Sequence, residues 1–143
     1  MQLKIKRLDP GLPLPRYARA GDAGLDLYAA ADTVIQPQRR CMIPCGIAIA
    51  LPDGYAGFVQ PRSGLARERG LTFVNTPGLV DAGYRGELIV IAHNTDPGLP
   101  ITIKRGERIA QLVIQRVETA DIVEVDELDE TERGTAGFGS TGV

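Results

Sequence analysis

Turn-forming clusters cut this chain at short intervals, and that punctuation limits its possible folds more than any other feature. Asp9-Pro10-Gly11, Pro52-Asp53-Gly54, Asp96-Pro97-Gly98 and Arg105-Gly106-Glu107 each join residues that preset or tolerate turn dihedrals. Between such clusters lie short apolar-rich runs: Gln2–Arg7, Thr33–Gln36, Arg40–Leu51, Tyr55–Gln60, Leu71–Val74, Glu87–His93, Ile101–Lys104 and Arg108–Val117. Short strand-like runs bounded by turns predict antiparallel pairing, so an all-β sandwich or barrel is expected. The βαβ rhythm of doubly wound sheets and the fixed period of solenoids are both missing. One short helix is expected from Ser63 to about Arg69, capped by Ser63 and ended by Gly70.

With 143 residues, the chain is expected to form one domain, long enough to bury a core without disulfide or metal staples. A net charge of −2 lacks the basic excess of general nucleic-acid coating, so no direct nucleic-acid binding is expected. No run approaches the ~18 apolar residues of a spanning helix, so no membrane partner is expected. Met1–Lys6 alternates as a strand does and is not a signal-peptide h-region, which points to a cytoplasmic location. Cys41 and Cys45 have only His93 as a further soft ligand, too few for a structural zinc site, and are expected to be buried free thiols.

Several stretches carry side chains suited to chemistry. In Asn75–Glu87, turn formers bracket one acid, Asp81, and one phenol, Tyr84. Pro77 and Gly78 break regular strand, Gly83 and Gly86 tolerate unusual torsions, and Leu79-Val80 offers an apolar anchor. A tight hairpin with exposed backbone is expected there. Asn75 offers a donor and an acceptor to the edge of a planar heterocycle, with Asp81 in reach as a base. An ordinary surface turn would have much the same composition. Arg62-Ser63-Gly64 at a helix start joins a guanidinium, a hydroxyl and backbone N–H groups, which suits an anion or a plain capped turn. Asp26 stands between Leu25 and Leu27, so it either faces solvent by alternation or is held inward for an ion or an arginine. Gln111 interrupts the apolar strand Ile109–Ile114, pointing either outward or toward a site. From Val123 to Glu132 the chain turns acidic, and Arg133–Gly142 then sets four glycines around Arg133 and Phe138. Such a tail cannot form a core, but its backbone can approach phosphate and Phe138 can stack on a flat ring. The lysine and spacing of a P-loop are missing.

In combination these stretches resemble the trimeric dUTPases, with that family's five motifs in order: Ala20–Leu27, Pro61–Ala66, Gly78–Glu87, Arg108–Val113 and Arg133–Gly142. The resemblance implies a jelly-roll β subunit in a homotrimer, active sites at subunit interfaces, and a C-terminal arm, about 124–143, swapped to a neighbour. It implies hydrolysis of dUTP to dUMP and pyrophosphate with Mg²⁺, which limits uracil in DNA and supplies dUMP for thymidylate synthesis. By the same resemblance Asp81 is the general base, Gln111 helps hold the catalytic water, and Asp26 holds hydrated Mg²⁺ through water. Arg62, Ser63 and Gly64 match the phosphate-binding triplet. Asn75, Gly78 and the backbone around Leu79, Val80 and Ile89 match the uracil pocket, and Tyr84 matches the ring under deoxyribose. Arg133 would clamp the γ-phosphate, Phe138 would stack on uracil, and Gly139, Ser140 and Thr141 would reach the phosphates. The fifth motif departs at Ala136, where many members carry glycine. The alternatives are a dCTP deaminase, expected to carry a glutamate in the hairpin where this chain has Asp81, and a non-catalytic nucleotide-binding jelly roll.

Overall fold

The computed structural model describes residues 1–132, 134 and 135. In chain order its elements are β1 (Lys4–Arg7), β2 (Gly24–Tyr28), β3 (Thr33–Ile35), β4 (Arg40–Ala50), β5 (Tyr55–Pro61), α1 (Ser63–Arg69), β6 (Leu71–Phe73), β7 (Gly78–Val80), β8 (Glu87–Asn94), β9 (Ile101–Ile103) and β10 (Arg108–Arg116). One antiparallel sheet runs β1-β4-β8-β6, a second runs β2-β10-β5-β7, and β3 pairs with β9. The expected all-β architecture with one short helix is what forms.

Alternation along the strands builds the core between the sheets. On β8, Leu88, Val90, Ala92 and Asn94 turn inward while Ile89, Ile91 and His93 turn outward. Leu27, Ile43, Leu71, Ile103, Ile109 and Leu112 are fully buried. Asn94 is the polar exception and is satisfied on both sides of its amide. Its Nδ2 donates to Ile35 O at 3.0 Å and Leu99 O at 2.8 Å, and its Oδ1 accepts from Asp96 N–H at 2.9 Å.

The strand-like run around Asp26 forms as β2, with Leu25 and Leu27 seated in the core. Two local expectations differ from the structure. Pro77 and Gly78 were read as breaking any strand, but only Pro77 does so; Gly78–Val80 pairs with β5 as a sheet edge, where a flanking proline is tolerated. Ser63 does not cap α1. Strand β5 runs through Pro61 and Arg62 stays extended as the N-cap at φ −90 and ψ 128, so Ser63 becomes the first helical residue with its hydroxyl free of cap duty. Gly70 ends the helix at φ 66 as expected, its N–H reaching Ala66 O and Leu65 O.

Cys45 is buried and Cys41 only partly so; both are free. Burial, with Glu87 nearby, pushes the Cys45 thiol up to about 12, which makes it a packing residue rather than a nucleophile. Among the described residues no helix is long and apolar enough to cross a membrane. No regular element follows Arg116 among the described residues, and Ile122 is 96% exposed.

A bidentate ion pair ties the amino-terminal loop to the β9–β10 turn. Arg105 Nη2 reaches both Asp9 carboxylate oxygens at 2.8 Å and its Nε reaches Oδ2 at 3.1 Å. The Arg105 hydrogen bonds hold the Asp9 carboxyl below its ordinary 3.8. A folded-state pKa below the unfolded value gives stability that is present above the ordinary value and lost as pH falls through the lowered one. Asp9→Asn should therefore lower the melting temperature at pH 7, and the difference from wild type should shrink as a thermal-melt series is taken below about pH 4.

Candidate active site

The candidate residues form two groups, one on each side of β5, with Ile89 reaching the hairpin group from β8 of the first sheet. On the outer face of the second sheet, register aligns Asp26 on β2 with Gln111 on β10, and Gln111 with Gln60 on β5. Gln111 Nε2 donates to Pro61 O at 2.9 Å, which fixes the amide over the strand end. Asp26 is 9% exposed, and arginines rather than solvent cover it. Its Oδ1 lies 3.3 Å from Arg62 Nε and its Oδ2 lies 3.2 Å from Arg108 Nη1. Alternation along β2 thus sets Asp26 on the outer face, and arginine rather than solvent meets it there. Asp26, Arg62, Ser63, Gly64 and Gln111 together line a depression of about 420 Å³.

Arg108 had no assigned role in the sequence, and the reason lies in the backbone. β10 pairs Arg108 with Tyr28 but Ala110 with Leu27, leaving Ile109 as a bulge. Without the extra residue, Arg108 would share the inward face of Ala110; the bulge turns it to the face of Tyr28 and Asp26. An adjoining depression of about 720 Å³ is lined by Arg16, Arg62, Arg69 and Arg108 against Asp26 and Glu107, four cations to two anions. That excess favours a polyanion. Arg16 and Arg69 also went unremarked in the sequence, since nothing in their local pattern says that they converge.

The other group gathers at the hairpin. Asn75, Gly78, Leu79, Val80, Asp81, Tyr84 and Ile89 line a cavity of about 280 Å³ whose walls are largely apolar. The strand β7 sets their direction: Val80 is buried, while Leu79 and the following Asp81 are exposed. Tyr84 N–H donates to Asp81 O at 3.1 Å and closes the turn after the acid. An apolar slot edged by an amide, backbone groups and a carboxylate suits a flat heterocycle.

The chain does not bring these two groups together. The two depressions share no lining residue. Asp81 follows the Val80↔Gly57 pair while Gln111 faces Gln60, so they differ by two ladder steps and four residues, roughly 17 Å at ordinary strand spacings. Arg133, Phe138, Gly139, Ser140 and Thr141 lie outside the described residues.

The dUTPase family model matches residues 11–142 of this chain. The chain belongs to the dUTPase family. It is 63% identical over 142 residues to the deoxyuridine 5'-triphosphate nucleotidohydrolase of Thermobifida fusca, covering 99% of this chain and 79% of that protein. The Corynebacterium efficiens enzyme of the same name is 61% identical over 140 residues, covering 98% and 77%. Among solved structures, the Staphylococcus bacteriophage 80alpha dUTPase with dUPNHPP superposes at a TM-score of 0.92 with 31% identity, covering 99% of each chain. A dUTPase from phage phi11 of S. aureus, described with a structural Mg(II) ion, superposes at 0.83 with 26% identity, covering 89% of this chain and 98% of that one. The sandwich is thus of the dUTPase jelly-roll type, and the protein is an enzyme that hydrolyses dUTP. The deaminase and non-catalytic alternatives fall away.

A methyl group at Gly24 would stand 2.9 Å from Gln111 Oε1 and 3.1 Å from Gln111 Cβ. The amide end can swing away, but Cβ, on a strand paired along both edges, must give by a few tenths of an ångström. Gly24→Ala should displace Gln111 from Pro61 and lower dUTP turnover by about tenfold, read as initial rate of pyrophosphate release, with the melting temperature recorded alongside.

Proposed function

We propose that the active enzyme is a homotrimer whose sites form between subunits, the hairpin cavity of one chain facing the β2-β10-β5 depression of another. The observation that carries this reading is the separation of Asp81 from Gln111 within one chain. A base and the amide steadying its water must both lie within a hydrogen bond of that water. A gap of roughly 17 Å is several times too wide.

In this reading Asp81 orients a water and takes its proton as the water oxygen bonds to the α-phosphorus. The bond from that phosphorus to the α,β-bridging oxygen breaks, and pyrophosphate leaves with its electron pair, giving dUMP. Gln111 steadies the water from the facing subunit. The Ser63 hydroxyl donates to the bridging oxygen as charge grows there, while Arg62 and the Gly64 backbone hold the phosphates. Asn75 with the main chain around Gly78, Leu79, Val80 and Ile89 pairs with the uracil edge, so cytosine is refused by mismatched donors and acceptors. Tyr84 lies beneath the deoxyribose and leaves no space for a 2′-hydroxyl.

Among the described residues no three His, Cys, Asp or Glu side chains gather into a metal cage. Asp26 alone, beside a wide polar depression, fits Mg²⁺ only through its retained waters. When carried in on the triphosphate, Mg²⁺ would neutralise phosphate charge and align the phosphates for displacement.

The same reading makes the chain one domain with an arm, about 124–143, that crosses to a neighbour. Exposed Ile122, Val123 and Leu128 with acids between them suit a partner surface that is apolar and basic, as are Lys4, Ile5, Lys6 and Arg85 around β1. Arg133 would clamp the γ-phosphate, Phe138 would stack on uracil, and Gly139, Ser140 and Thr141 would reach the phosphates. Cytoplasmic action, limiting uracil in DNA and feeding dTMP synthesis, belongs to the same proposal.

Asp81→Asn should cut kcat by roughly a thousandfold while leaving KM nearly unchanged, because the base acts only in the transition state; an unchanged kcat removes Asp81 from this role. Unfolding and refolding equal amounts of Asp81→Asn and Gln111→Ala together should restore about a quarter of wild-type activity, since random closed trimers then contain intact composite sites. No recovery in mixed trimers would place both residues in one chain's site and overturn the intersubunit reading.

A further inference from the structure

The geometry points to Arg85 and Gly86 as positioning residues that set sugar specificity by fixing the ring of Tyr84. This inference rests on the reading that Tyr84 lies beneath the deoxyribose, and asks what makes a phenol on an exposed hairpin a reliable steric gauge. Tyr84 is 45% exposed, so burial does not hold it. Excluding one hydroxyl requires the ring to be fixed to within about 0.5 Å, which demands locked neighbours.

The first lock is the space above Gly86. A Cβ there would stand 2.6 Å from Tyr84 Cζ and 3.0 Å from its Cε2, with the hydroxyl oxygen closer still. The phenol end therefore rests directly on the Gly86 backbone. Gly86 is not among the glycines of positive φ, so no unusual torsion calls for glycine at this position. The need is steric, and the group that imposes it is the ring. Gly83, three residues earlier in the same turn, meets nothing within 4 Å and likewise has no positive φ.

The second lock is electrostatic. Arg85 Nη1 donates to Tyr84 O at 2.8 Å and to Ala82 O, stitching the turn through two carbonyls. The Tyr84 hydroxyl donates to Glu87 O at 3.0 Å. Glu87 is in turn fixed from outside the hairpin, since its Oε1 accepts the Gly46 N–H at 2.8 Å. Gly46 sits at φ 68 in the irregular part of β4, where a Cβ would come within 2.9 Å of Asp9 and Leu12 side chains. The ring is thus referenced through Glu87 to packed backbone.

The test is kcat/KM for dUTP and for UTP in the full-length protein. Gly86→Ala should reduce the preference for dUTP over UTP by roughly tenfold or more, on the scale of one misplaced group in a pocket, with KM for dUTP rising more than kcat falls. Gly83→Ala should keep the preference. In a Tyr84→Ala background, adding Gly86→Ala should change the preference no further, because the ring through which it acts is gone. Full preference in Gly86→Ala, or an equal loss with and without the ring, would overturn the inference. If Gly86→Ala does not fold, Arg85→Ala takes its place: a reduced preference partly rescued by Arg85→Lys supports the inference, and an unchanged preference overturns it. Wild-type protein that hydrolyses UTP as well as dUTP would instead sink the prior reading of Tyr84, a separate result seen before any variant is made.

Discussion

Strand β5 is hydrogen-bonded along both edges, to β10 on one side and β7 on the other. Asp81 on one side and Gln111 with Asp26 on the other are placed by that double pairing. One edge fixes the hairpin that bears Asp81; the other fixes the rung of Gln111 and Asp26. Because ladder spacing is nearly invariant, the two sets are held apart as firmly as they are held in place. Under the proposed intersubunit site, that rigid separation is a physical reason to assemble, distinct from any need for extra buried surface.

Much of the fold was readable because its signals are local. Pro-Gly clusters announce turns at the residues that make them, and alternation along Glu87–His93 announces its own two faces. The helix was readable to the residue at both ends, but its cap was not: Arg62 rather than Ser63 takes that position, because the preceding strand runs through Pro61. The site was legible as a set of residue types and illegible as an arrangement. Nothing around Asp26 says that two guanidinium groups cover it, since Arg62 arrives from the β5–α1 junction and Arg108 from β10, where a bulge re-aims it. Sequence spacing also cannot reveal that Asp81 and Gln111 stand apart, because that follows from strand order.

Glycine does two different jobs in this protein, and the structure separates them. Gly46, Gly70 and Gly106 occupy positive φ, where backbone torsion is the demand. Gly24 and Gly86 do not, yet each would collide with a particular side chain, Gln111 or Tyr84. The first kind shapes loops anywhere in the chain. The second kind leaves room for one particular side chain to lie against backbone.

The four arginines around Asp26 and Glu107 repel one another. A polyanion bound there would relieve that repulsion, so its charge would enter the energetics of the folded chain. Counterions gather in such a basin and must disperse when a polyanion enters. Substrate capture should accordingly be tuned by the ionic medium, through a field that belongs to no single contact.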